Sequence, residues 1–132
     1  MLAGARVGHL AFLDDGDHPR VLPVTFALAG GVLVSAIDRK PKTASDPARV
    51  RYLRRRPEAA LGVDHYSDDW SQLAWVQVVG RIEVRDIASA RKELEALQSK
   101  YAPYREAQPP GPLLILRPER VLSWRAADAG AG

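Results

Sequence analysis

Residues 32–57, Val-Leu-Val-Ser-Ala-Ile-Asp-Arg-Lys-Pro-Lys-Thr-Ala-Ser-Asp-Pro-Ala-Arg-Val-Arg-Tyr-Leu-Arg-Arg-Arg-Pro, change character twice. Val32 to Ile37 is an apolar run of strand length and reads as a strand. A cationic loop follows, Asp38-Arg39-Lys40-Pro41-Lys42, and then a basic helix that stops before Pro57. Asp46-Pro47 marks the helix start, an N-cap acceptor followed by proline at the first helical position. Val50 and Leu53 form a narrow apolar stripe, and the arginines occupy the other faces. Small residues at the strand's end allow a flat ligand to come close. Arg39, Lys40 and Lys42 concentrate positive charge, and Pro41 limits how far the loop relaxes; such a group of donors suits a phosphate. The competing reading is a solvated basic turn, the usual fate of exposed cations.

The flanking sequence is rich in strand signals. Arg6 to Leu13 reads as a strand ended by the turn chemistry of Asp14-Asp15-Gly16-Asp17. Arg20 to Leu28 resumes as a second strand, with Pro23 marking an edge or bulge where no ladder donor is needed. Ala29-Gly30-Gly31 turns the chain into Val32 to Ile37, so the first three strands read as an antiparallel meander. Ala59 to Tyr66 and Leu73 to Val84 are further strands, and Gly80 inside the second suggests a bulge. Ile87, Ala90, Leu94, Leu97 and Tyr101 recur at helical spacing. Pro103, Pro109, Pro110 and Pro112 read as a stiff loop. A last strand, Leu113–Leu116 and Val121–Trp124, is expected to break near Pro118. The sum is a mainly β (α+β) domain spanning 1–132: a six-stranded antiparallel barrel with two helices, whose closure removes exposed edges.

Composition narrows the function classes. The chain has 132 residues, net charge +3 and no cysteine, which leaves neither disulfides nor thiolate chemistry. No apolar run approaches the roughly 20 residues that span a bilayer, and no signal-peptide pattern opens the chain. A soluble, cytoplasmic protein is expected. Arg49, Arg51, Arg54, Arg55 and Arg56 make a basic cluster, yet it lacks interleaved aromatics and matches no DNA-binding motif. A small anionic ligand is the more economical partner than nucleic acid, and no membrane partner is indicated.

Catalytic side chains are not evident. His9, His18 and His65 are scattered, no metal site is expected, and Ser35 and Ser71 lack any sign of activation. His65, Tyr66, Trp70 and Trp75 lie near one turn and suit packing against a planar ring, although Trp75 also reads as core. An aromatic group, a phosphate-type loop and no catalytic dyad together fit a flavin-like cofactor that brings its own chemistry.

The segments 5–11 (Ala-Arg-Val-Gly-His-Leu-Ala), 19–26 (Pro-Arg-Val-Leu-Pro-Val-Thr-Phe), Lys40-Pro41-Lys42, 53–57 (Leu-Arg-Arg-Arg-Pro) and 63–71 (Val-Asp-His-Tyr-Ser-Asp-Asp-Trp-Ser) resemble the pyridoxamine 5'-phosphate oxidase-like split β-barrel family. Within that family the chain looks most like the actinobacterial branch dependent on the deazaflavin coenzyme F420. The resemblance implies a homodimer with cofactor sites between subunits, and hydride transfer to or from a conjugated small-molecule substrate. It implies that Ser35, Lys40 and Lys42 hold the cofactor's phosphate, with Arg39 and Pro41 beside them at the cofactor, and that Pro23, Val24 and Thr25 line its ring. It also implies that Trp70, Ser71 and Trp75 reach the site from across the dimer. Arg49, Arg51, Arg54 and Arg55 are then expected along the F420 polyglutamate tail. FMN in the same pocket is the alternative cofactor, and a non-catalytic cofactor or tetrapyrrole carrier is the alternative from another class. Family members begin with a helix before the first strand, and this chain begins almost at the strand.

Overall fold

Strict alternation of inward and outward residues sets the architecture of the chain, a computed structural model describing residues 1–37 and 48–126. β1 (Gly8–Leu13) buries Gly8, Leu10 and Phe12 and turns His9 outward. The other strands are β2 (Pro19–Val24), β3 (Ala27–Ala29), β4 (Val32–Ala36), β5 (Glu58–His65), β6 (Ala74–Arg85) and β7 (Leu113–Arg125). They form one antiparallel sheet in the order β2-β1-β5-β6-β7-β4-β3. The two ends of that order are β2 and β3, which the chain joins through Thr25 and Phe26 alone. Three peptide steps span at most about 11 Å. The sheet therefore curls until its ends meet at this corner, as a barrel.

The expected second strand, Arg20 to Leu28, is thus two strands. Its first half pairs with β1 (Pro23 opposite His9) and its second with β4 (Leu28 opposite Leu33). The bend between them raises the strand number from the expected six to seven. The expected break near Pro118 is instead a bulge in a continuous β7. Gly80 pairs with Pro118 and Val79 with Arg120, leaving Glu119 as the extra residue. A Cβ at Gly80 would collide with the Arg117 carbonyl, so glycine is what lets β7 approach there.

Three helices, rather than the expected two, complete the described chain: α1 (Ala48–Arg55), α2 (Arg91–Lys100) and α3 (Ala102–Glu106). Pro103, read from sequence as loop, stands in the first turn of α3, where its missing N–H costs nothing. The predicted helix start at Asp46-Pro47 lies outside the described residues. The periodic segment beginning at Ile87 opens as a short 3₁₀ turn, Ile87–Ser89, before α2.

Two cores result. Inside the barrel, Leu10, Phe12, Phe26, Leu33, Leu61, Val78, Ile82, Leu114 and Leu116 pack together, and Val50 and Leu53 of α1 join them. Outside it, Val34, Ala36, Leu113 and Ile115 pack under Leu94, Leu97 and Tyr101 of the α2–α3 segment. Every residue from Leu113 to Leu116 is buried because successive side chains feed the two cores in turn. No helix among the described residues is long and apolar enough to cross a membrane.

Candidate functional site

The Thr25–Phe26 corner gathers polar side chains from β4, α2 and α3. The Ser35 hydroxyl donates to the Thr25 carbonyl at 2.7 Å, and Thr25 Oγ1 and Tyr104 Oη lie 2.7 Å apart. The Phe26 N–H donates to Tyr101 Oη at 3.1 Å. The Tyr101 proton in turn faces the carbonyls of Phe26 and Arg6, each at 2.9 Å. Lys100 Nζ donates to the Phe26 carbonyl at 2.9 Å and sits 4.0 Å from the centre of the Phe26 ring. Burial, and secondarily the charge of Arg6, lower the Lys100 pKa from its ordinary value. A bend leaves backbone groups outside any ladder, and a buried unpaired group costs about 1–3 kcal/mol. Ser35 of β4 and the α2–α3 segment supply the missing partners.

Ser35 and Thr25, far apart in sequence, therefore do meet. Ser35 is buried, and its hydroxyl proton is used within the corner. Val24 packs against the barrel interior, while Pro23, next to it on β2, is exposed on the outer face. Arg39, Lys40, Pro41 and Lys42 lie outside the described residues.

Trp75 stands on that outer face, at 36% exposure, directly opposite Trp124 of β7. The strand register lays three rows across the face: Val21, Ala11, Ala60, Val79; then Pro23, His9, Gly62, Gln77, Leu122; then Asp64, Trp75, Trp124. A shallow groove of about 210 Å³ runs over the middle of them. Gly62 forms a floor without a side chain, Trp75 stands beside it, and His9, Asp64 and Gln77 bring polar atoms to it. Trp70 and Ser71 sit in a 3₁₀ turn, Trp70–Gln72, just before β6. Asp69 caps that turn: its carboxylate accepts from the Ser71 hydroxyl at 2.7 Å and the Ser71 N–H at 3.1 Å, which lowers its pKa. Trp70 is 69% exposed. Pro23 and Trp75 thus share a face, whereas Thr25 and Ser35 belong to the corner.

The arginines of α1 have a use that the sequence alone hides. Arg51 Nη2 lies 3.2 Å from Asp15 Oδ2, and Arg55 Nη2 donates to the Asp14 and Asp15 carbonyls and to Asp17 Oδ1. Arg56 reaches Asp17 at 2.8 Å. The acidic turn between β1 and β2 is thereby held against α1, and Arg51 and Arg55 face it. The Gly62 floor, the Tyr104 partner of Thr25 and a place for His9 at the groove were not read from sequence. Each depends on a strand register or on a helix returning across the chain. Among the described residues no three His, Cys, Asp or Glu side chains come together to hold a metal.

The family model for pyridoxamine 5'-phosphate oxidase matches residues 1–113. The chain belongs to this family. No curated protein matches the sequence. Among solved structures it is similar to the conserved hypothetical protein Rv2991 of Mycobacterium tuberculosis, with 17% identity and a TM-score of 0.76 over 96% of this chain and 81% of that one. A FAD-binding protein of Mesorhizobium loti has 22% identity and a TM-score of 0.66, covering 92% and 87% of the two chains. A heme-binding protein of Mycobacterium smegmatis has 21% identity and a TM-score of 0.70; this chain covers 55% of its length and is itself covered to 95%. At these identities the likeness is one of fold.

Proposed function

We propose that this chain is an oxidoreductase that works as a homodimer and passes a hydride between F420 and a conjugated small molecule. Family membership supports a cofactor with a flavin-type ring, as does the likeness in fold to the FAD-binding protein of M. loti. The observation that carries the reading is the groove over Gly62. A floor without a side chain beside an exposed indole suits a planar ring, and His9, Asp64 and Gln77 can meet polar atoms at its edge. At about 210 Å³ the groove falls short of the roughly 300–1,000 Å³ of a complete small-molecule site. A second copy laid on the same bare face would supply the remaining wall.

When bound, the ring accepts or gives the hydride. The protein's share is to orient and to exclude water. Trp75 and the Gly62 floor face the ring, and Lys40 and Lys42 hold the phosphate, assisted by Arg39 and Pro41. The corner fixes the end of β2, so that Pro23 lies along one side, held by Val24 packed within the barrel and Thr25 in the corner. Trp70 and Ser71 reach across from the partner.

FMN is the second reading, favoured by the engagement of Arg51 and Arg55 with the acidic turn. FMN has no glutamate tail and asks nothing of α1. Exposed ion pairs of this kind contribute about 0–1 kcal/mol, so a polyanionic tail can displace them. Titration of the cofactor-free full chain with F420 and, separately, FMN, followed by tryptophan fluorescence, tests the reading. Tighter binding of F420, weakened and made less salt-sensitive by Lys40→Ala and Lys42→Ala, is expected. Tighter FMN binding moves the protein to the flavin reading, and binding of neither overturns both.

A further inference from the structure

A second and larger depression lies where β3 and the ends of β6 and β7 part at the mouth of the barrel. It holds about 690 Å³, within the range of small-molecule sites, which often occupy barrel mouths. The strand register explains why it is open. β7 pairs with β4 only through Leu113–Leu116, whereas it pairs with β6 all the way to Arg125. The last part of the β6–β7 hairpin therefore runs past the barrel with its inner side uncovered. Leu28, which faces inward beside Leu33, is left 41% exposed at the opposite wall.

The lining is polarised. Leu2, Leu28, Ala74 and Val76 give an aliphatic surface, and Trp75 and Trp124, whose side chains alternate to the outer face, border it. Ser123 and Arg125 stand on the same side of β7 as the mouth, at its outer end. Arg125 is the one charged side chain in the described lining, and no carboxylate lines the depression with it. An apolar cleft with a guanidinium at one end matches an apolar body carrying an anionic head, because a planar fork of N–H donors meets a carboxylate bidentately.

We infer that the barrel mouth is a binding site for an apolar or aromatic monocarboxylate, its ring or chain against Leu2, Leu28, Ala74 and Val76 and its carboxylate on Arg125. This site is separate from the Gly62 groove, with Trp75 bordering both, and it requires no bound cofactor.

Calorimetric titration of the cofactor-free full chain with naphthalene-2-carboxylate and its neutral isostere naphthalene-2-carboxamide tests the inference. The carboxylate is expected to bind about tenfold or more tightly than the carboxamide, as for a charge-assisted contact. Arg125→Gln, at an exposed strand end, should abolish that preference while leaving carboxamide binding unchanged. Leu28→Trp should fill the mouth and weaken both ligands; a circular-dichroism melt shows whether that variant is folded. The inference is overturned if neither ligand binds the wild type, if the two bind equally, or if the preference survives Arg125→Gln. Cofactor titrations read the Gly62 groove independently, so either site can fail without the other.

Discussion

The two flanks of the barrel are built on the same alternation and finished in opposite ways. On the β3–β4–β7 flank, the outward residues Ala27, Val34, Ala36, Leu113 and Ile115 are all buried, because α2 and α3 lie across them. On the β2–β1–β5–β6 flank, the outward residues are Val21, Ala11, Ala60 and Val79 with Pro23, Gly62 and Trp75. None of these is buried, and Val21 is 63% exposed. One flank is core on both sides; the other is core within and bare without. Small side chains at Ala11, Ala60 and Gly62 keep the bare flank flat, which suits a broad partner or a planar ligand.

The contrast breaks most visibly through burial. Leu97→Ala on the covered flank should cost about 2–5 kcal/mol in chemical denaturation, since Leu97 is fully enclosed. Val79→Ala on the bare flank should cost less than about 1.5 kcal/mol in the monomer, because little transfer energy is at stake. Equal losses would show that the bare flank is packed in solution. Gly80→Ala, at the bulge where β7 leaves the barrel, should cost about 1–3 kcal/mol, as the new methyl meets backbone rather than a mobile side chain. An unchanged midpoint would remove the close approach as the reason for glycine.

Tyr101→Phe sharpens the comparison at the corner where the flanks join. It leaves the ring packing intact and strips the Phe26 N–H of its partner, for an expected loss of about 1–3 kcal/mol. Amide exchange at Phe26 should accelerate more than exchange within β5. Val79→Arg is a smaller perturbation of the fold but a decisive one for the bare flank. It should leave the melting temperature of dilute protein nearly unchanged while abolishing self-association in sedimentation velocity. A dimer that survives it sits on another surface.

The smallest effect belongs to Asp14, at the turn that ends β1. Its carboxylate accepts from the backbone N–H groups of His18 and Gly16, at 2.9 Å each, and lies beside the His18 ring, which hold its pKa below the ordinary carboxylate value. A pKa lower in the folded than in the unfolded chain contributes stability above the unfolded-state value, lost as pH falls through the folded one. The gap in thermal stability between wild type and Asp14→Asn should therefore be constant near neutrality and close on acidification. A gap that persists at the lowest pH would assign the effect to neutral hydrogen bonds.

Much of the β framework was legible because strands with one covered face carry their own signature. The alternation in β1 and the apolar runs of β4 and β7 are visible in the residues themselves. The corner was not, since nothing in Pro23-Val24-Thr25-Phe26 says that a strand changes partners midway. Pro103 misled for a related reason: proline opens a helix and ends one equally well. At the site, Trp75 and Pro23 could be named from sequence, but that they share a face follows only from two intervening strands, β1 and β5. That Arg51 and Arg55 of α1 face Asp15 and Asp17 was not legible either, since only the fold brings the acidic turn to the helix.

The strands and the antiparallel meander could be read from residues 1–132 alone, because periodicity and local turn chemistry act over a few residues, and the family through the resemblance of short segments. Only the tertiary structure decided which flank α2 covers, where the barrel closes, and which cations face carboxylates. Those outcomes depend on contacts between segments dozens of residues apart, whose pairing no local pattern encodes.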